Sequence, residues 1–137
     1  MSVQASIDIS FVREQDPSLV LAKLLGCGWS EKFNEEVMFL PVNGFDDYDW
    51  TVLRGADFDV AGFLEDVRVG GRAGIVLVFN DVAGGEFLIS KKSVSMSLSI
   101  NRVVLVDRVP DFSWYISRML PAFRDLEISS IQCEMVC

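Results

Sequence analysis

The chain has 137 residues, half of them apolar, with 20 acids, 12 bases, no histidine and a net charge of −8. Its apolar content supports a packed core and excludes a disordered chain, and its length suits one domain over residues 1–137. The negative charge repels nucleic-acid phosphates and anionic lipid, and no apolar run approaches the ~20 residues of a membrane helix, so neither nucleic acid nor membrane is an expected partner.

Residues 3–11 alternate. Val3, Ala5, Ile7, Ile9 and Phe11 share one side, and Gln4, Ser6, Asp8 and Ser10 the other. That period predicts a strand with one wet face. Asp16-Pro17 opens a helix, because the carboxylate caps free N–H groups and proline fits the first turn. Leu21, Leu24 and Leu25 form its apolar stripe, and Gly26 and Gly28 stop it. Residues 37–40 read as a short strand ended by Pro41. Trp50-Thr51-Val52-Leu53 reads as another, with Trp50 in the core. Asp57 is the predicted cap of a second helix. Its stripe is Val60, Phe63, Leu64 and Val67, its outward face carries Glu65, Asp66 and Arg68, and Gly70-Gly71 ends it.

Residues 73–79 and 87–89 form a predicted hairpin, with residues 80–85 as its turn. Residues 93–100 alternate again, with Val94, Met96, Leu98 and Ile100 on one face and four serines on the other. Residues 103–106 either continue that strand past a bulge near Asn101 or form a new one. Asp111 caps a third helix whose stripe steps through Phe112, Ile116, Leu120 and Phe123, widened by Trp114, Tyr115 and Met119, and Pro121 ends or kinks it. Residues 128–135 close the chain as a strand. The order β-α-β-β-α-β-β-β-α-β predicts an α+β fold, a mixed or antiparallel sheet with three helices packed against it.

The absence of histidine removes the usual neutral-pH base, the commonest metal ligand and every imidazole-dependent triad. Cys27, Cys133 and Cys137 fit no disulfide framework or metal spacing, which suits a reducing compartment, and the N-terminus lacks the pattern of a secretory signal. A cytoplasmic location follows as the expectation, with Cys27 read as a packing residue. Asp46, Asp47 and Asp49 miss the glycine and glutamate of a calcium loop. The glycine-rich residues 70–74 precede a strand rather than opening a helix, so they do not form a phosphate cradle. We therefore expect no catalytic residue, metal or cofactor. A small carboxylate-dependent hydrolase is one alternative.

The functional signal is a charge concentration. Between residues 43 and 66 lie seven acids and one base, Arg54, interleaved with Phe45, Tyr48, Trp50, Phe58 and Phe63. Acids beside amphipathic aromatics suit a surface that meets a basic protein. The candidate partner-binding residues are Phe45, Asp46, Asp47, Tyr48, Asp49, Asp59, Glu65 and Asp66. With the run Phe45-Asp46-Asp47-Tyr48-Asp49-Trp50, the size and acidity of the chain resemble the small bacterial immunity proteins that neutralise antibacterial toxins. The resemblance implies a tight one-to-one inhibitor filling the basic active-site cleft of a toxin domain. A second alternative is an assembly subunit that forms a homodimer through the serine-faced strand, residues 93–99, if that strand lies at a sheet edge.

Overall fold

The computed structural model describes residues 3–42, 45 and 47–137. The elements in chain order are β1 (Gln4–Phe11), α1 (Pro17–Gly26), β2 (Trp29–Ser30), β3 (Glu36–Leu40), β4 (Thr51–Arg54), α2 (Val60–Gly70), β5 (Ala73–Phe79), β6 (Ala83–Ile89), β7 (Ser93–Ile100), β8 (Val104–Val106), β9 (Val109–Pro110), α3 (Phe112–Met119) and β10 (Ile128–Val136). Single 3-10 turns at Gly55–Asp57 and Leu120–Phe123 precede α2 and follow α3. Eight strands form one sheet in the order β10-β1-β7-β6-β5-β3-β4, with β2 also paired to β5, while β8 and β9 make a separate hairpin. Every pairing is antiparallel. The fold is α+β, as the alternation predicts.

The alternating rows explain where the core lies. Ile7 stands opposite Met96 and Ile9 opposite Val94. Met96 and Val94 meet Phe87 and Ile89 in turn, and Phe87 meets Ile75. This row is buried across β1, β7, β6 and β5. Against it lie Val20, Leu21 and Leu24 from α1, Phe63 and Val67 from α2, and Tyr115 and Met119 from α3. Trp29 joins the layers. Its ring meets Phe79 and Phe87 edge-on at 5.4 and 5.1 Å, and its indole N–H donates to the Arg118 carbonyl at 3.0 Å. Burying so large a ring without losing its polar end is what fixes α3 over the sheet. Asp16, Asp59 and Asp111 cap the three helices through their carboxylates, and Gly71, at φ 75°, ends α2 in the left-handed conformation.

Several expectations are corrected. Asp59, not Asp57, caps α2. Phe58 must reach Phe39 and Phe63, at 5.1 and 5.4 Å, so the helix begins after it. Asp57 lies in the 3-10 turn and faces Arg54 at 3.7 Å. Trp50 precedes β4 and is half-buried outside the main core. Gly84 and Gly85 belong to β6 rather than to a turn; the turn is Asn80-Asp81, both at positive φ, which matches the twist of a hairpin. Residues 104–106 form a new strand, paired with β9. Trp29–Ser30 is a strand that the alternation did not predict. The serine-faced β7 lies between β1 and β6, so both of its edges are used. Pairing with another chain along residues 93–99 is therefore closed. The serine face is a wet outer face on which the Ser95 hydroxyl donates to Asp8.

A bulge in β7 ends its clean alternation. Glu86 pairs with Ser97 but Gly84 with Ile100, so Leu98 and Ser99 both oppose Gly85. Leu98 stays in the core, and Ile100 turns to the open face opposite Gly84. A side chain at Gly85 has no room, since its Cβ would stand 1.7 Å from the Ser97 carbonyl oxygen. Gly85→Ala is expected to cost at least about 2 kcal/mol in chemical denaturation, because backbone rather than a flexible side chain blocks the methyl.

Tyr115 is fully buried, and its hydroxyl accepts the Val103 N–H at 3.0 Å. Burial pushes its pKa up, a shift that this hydrogen bond moderates. A raised folded pKa means full stability below the unfolded value of about 10, lost as pH rises through the folded value. Tyr115→Phe is expected to lose about 1 kcal/mol at neutral pH and to flatten the alkaline limb of the stability curve. Denaturant midpoints measured across pH check both effects.

Candidate protein-binding surface

The acidic segment is built on one margin of the sheet. Strand β3 carries the chain to Leu40, and Pro41 and Val42 then lean on the last turns of α2. There they line a depression of about 500 Å³ with Phe39, Phe63, Asp66, Val69 and Gly70. Phe45 is tied down next. It is half-buried, and the Arg72 guanidinium sits over its ring at 4.6 Å. A cation over a ring face is an attractive contact in its own right, so Phe45 serves the fold before any partner. Asp46 lies outside the described residues.

The turn that follows is open. Tyr48 N–H donates to the Phe45 carbonyl at 3.2 Å, and Trp50 N–H to the Tyr48 carbonyl at 3.1 Å. Tyr48 sits at φ 48°, a left-handed conformation that costs energy in a bulky residue. It is 60% exposed, the one aromatic among the exposed large hydrophobic side chains of the described residues. Asp47 and Asp49 are exposed on either side. Neither has an ion pair among the described residues, where four occur elsewhere.

The remaining candidates divide. Asp59 is spent on capping, its carboxylate accepting the Gly62 N–H at 3.1 Å. Glu65 binds Arg68 through two hydrogen bonds, and this contact holds its carboxyl below the ordinary range. Asp66 is exposed and borders the depression beside Val42, near the start of the loop. Asp66 thus shares a depression with Val42, whereas no contact joins it to Asp47, Tyr48 or Asp49 among the described residues. Phe45, Asp59 and Glu65 have structural partners of their own.

The relief of the open sheet face does not show in the sequence pattern. Glu86 stands between two depressions there. One, of about 500 Å³, includes Ser97, Ser99, Arg102 and Glu134. The other, of about 560 Å³, is more apolar, with Phe33, Met38, Val52, Val76 and Ile100. The signal for it was weak, since Ile100 reaches this face only through the bulge. Among the described residues, no group of three or more cysteines and carboxylates could hold a metal ion. No helix of the described residues is long and apolar enough to cross a membrane. Cys27 is half-buried against the core. At Cys133, partial burial, then the nearby Asp8 charge, raise the thiol pKa, which favours the unreactive thiol over the thiolate.

Comparison of the chain with protein-family models, curated proteins and solved structures finds no match. The local roles on this surface can be separated by stability. Asp59→Ala is expected to cost about 1 kcal/mol by removing a cap, whereas Asp66→Ala stays within about 0.5 kcal/mol of the parent. Thermal unfolding of the two variants side by side checks the division.

Proposed function

We propose that the protein is a non-catalytic binding protein that docks its acidic turn on a basic cleft of another protein, in the manner of a bacterial immunity protein acting on a toxin in the cytoplasm. The supporting observation is Tyr48. An amphipathic ring is held out to solvent on a left-handed backbone between two acids that form no ion pair among the described residues. Strain retained at an exposed position is more readily understood as part of a site than as part of the core. Aromatic anchors within a charged surround are typical of residues that dominate binding energy.

The division of labour follows from range. Asp47, Asp49 and Asp66 act over about a Debye length, which draws a basic partner in and orients it. Tyr48 acts only at contact, where its ring loses water. Charge should therefore govern the rate of association, and the ring the rate of dissociation.

The test takes the purified protein encoded by the adjacent gene as the partner and measures both rates across salt concentration. Asp47→Asn with Asp49→Asn is expected to associate at least about tenfold more slowly at low salt, with the gap closing at high salt. Tyr48→Ala should mainly speed dissociation. Unaltered rates in both variants sink the reading, and turnover of a sugar or phosphate substrate by the isolated protein would favour the hydrolase instead.

A further inference from the structure

Strand β10 spans nine residues at the margin of the sheet, paired with β1 on one side only. The hydrogen bonds of β1 set the direction of the free backbone groups of β10. Phe11 N–H donates to Lys92, on the β7 side of β1, and Val12 N–H donates to Glu127, on the β10 side. These directions alternate along a strand, so Ser10, Asp8, Ser6 and Gln4 turn their amides to β10. Their opposite residues, Ser130, Gln132, Glu134 and Val136, point back at β1. Ile131, Cys133 and Met135 therefore direct both N–H and C=O away from the sheet.

The side chains of those three residues share a face with Ile9, Ile7 and Ala5. They extend the apolar row past the helices, and Ile131 and Met135 remain 39% and 38% exposed. Soluble edges are usually guarded by lysine, proline, bulges or shortness. Strand β10 contains no lysine or proline, its sole register shift is at its start, and Glu134 is its one charge. The opposite margin is guarded, since β4 has four residues and includes Arg54.

We propose that β10 pairs antiparallel with β10 of a second copy about a two-fold axis through Cys133. Strand pairing requires outward residues to meet outward residues, and this axis matches all three. Cys133 meets its own copy, and Ile131 meets Met135 twice, with about six main-chain hydrogen bonds in all. Gln132 lies opposite Glu134 on the other face, so the one charge gains a hydrogen-bond donor. An axis through Glu134 sets two carboxylates against each other, and an axis through Gln132 moves Met135 onto Ser129, at the register shift. The contact is isologous and closes at two copies. It also leaves both acidic turns free, at the far margins of the joined sheet.

Sedimentation equilibrium of the full chain alone tests this. A dimer is expected at tens of micromolar protein. Cys133→Pro removes an N–H that bonds nothing within one copy, so the fold should survive while dimerisation weakens at least about tenfold. Should that variant fail to fold, Ile131→Lys with Met135→Lys places like charges opposite each other and should have the same effect. In a Cys27→Ser, Cys137→Ser background, diamide at alkaline pH should link the two copies through Cys133, because facing residues about 5.5 Å apart suit a disulfide. A wild-type monomer at hundreds of micromolar overturns the proposal, as does a monomer whose edge pairs only with a strand of another protein. A dimer unaffected by these variants, or one that never links through Cys133, overturns it too. Asp47→Asn with Asp49→Asn should dimerise normally, which separates this outcome from that of the acidic turn.

Discussion

The apolar row from Ile9 and Ile7 through Val94 and Met96 to Phe87 and Ile75 must leave water as a unit, because hydrogen bonding across β1, β7, β6 and β5 fixes those side chains on one face. Three short helices are what the chain has to cover it. Helix α1 packs against α2, against β2, β5 and β6, and against the 3-10 turn that follows α3. Trp29 completes the seal, filling the space between the sheet and α3 while its N–H bonds to a helix carbonyl. Few alternatives would satisfy that indole in so dry a place. The close approach at Gly85 belongs to the same constraint. The bulge opposite it keeps Leu98 in the sealed face while releasing Ile100.

Coverage that is complete at the centre of a wide sheet is incomplete at its margins, and the two margins differ. At β4 the strand is short and charged, and the neighbouring loop and helix carry acids. At β10 the strand is long, nearly uncharged and exposed on most of its length. One margin suits contacts that begin at a distance. The other suits contacts that begin only when backbones meet. Their separation would keep the proposed charged docking surface from competing with the proposed uncharged one.

Much of the fold was legible because it rests on local rules. The period-two rows at residues 3–11 and 93–98, the carboxylates that cap α1 and α3, and the glycines that end α1 and α2 need no distant information. What stayed illegible was set by contacts remote in sequence. Trp29–Ser30 is too short to show a period, and its pairing with Phe79 and Val78 defines it. The choice of Asp59 over Asp57 depends on Phe58 reaching Phe39. The interior position of β7 depends on where β1 returns, and its serine face is the ordinary wet face of an antiparallel sheet. The acidic segment was visible as charge. Which of its aromatics were free was not, because Arg72, far along the chain, claims Phe45; the Glu65–Arg68 pair, three residues apart on one helix, needs no distant information.

Charge also bears on whether two such acidic chains can associate. Each carries −8, so an interface that brought the acidic turns together would be opposed by their repulsion. Pairing through β10 does the reverse. With neighbouring strands about 4.8 Å apart, the two β4 margins of a joined sheet stand roughly 60 Å from each other along the strand order, reduced by twist and curvature. That is several times the ~8 Å over which charges interact at physiological salt. Near the pairing edge the balance is milder, since Arg13 faces Glu127 at 3.7 Å and Glu134 would meet Gln132. The margin with least charge is therefore the one at which a second copy can approach, and the margin with most charge remains available to a partner of opposite sign.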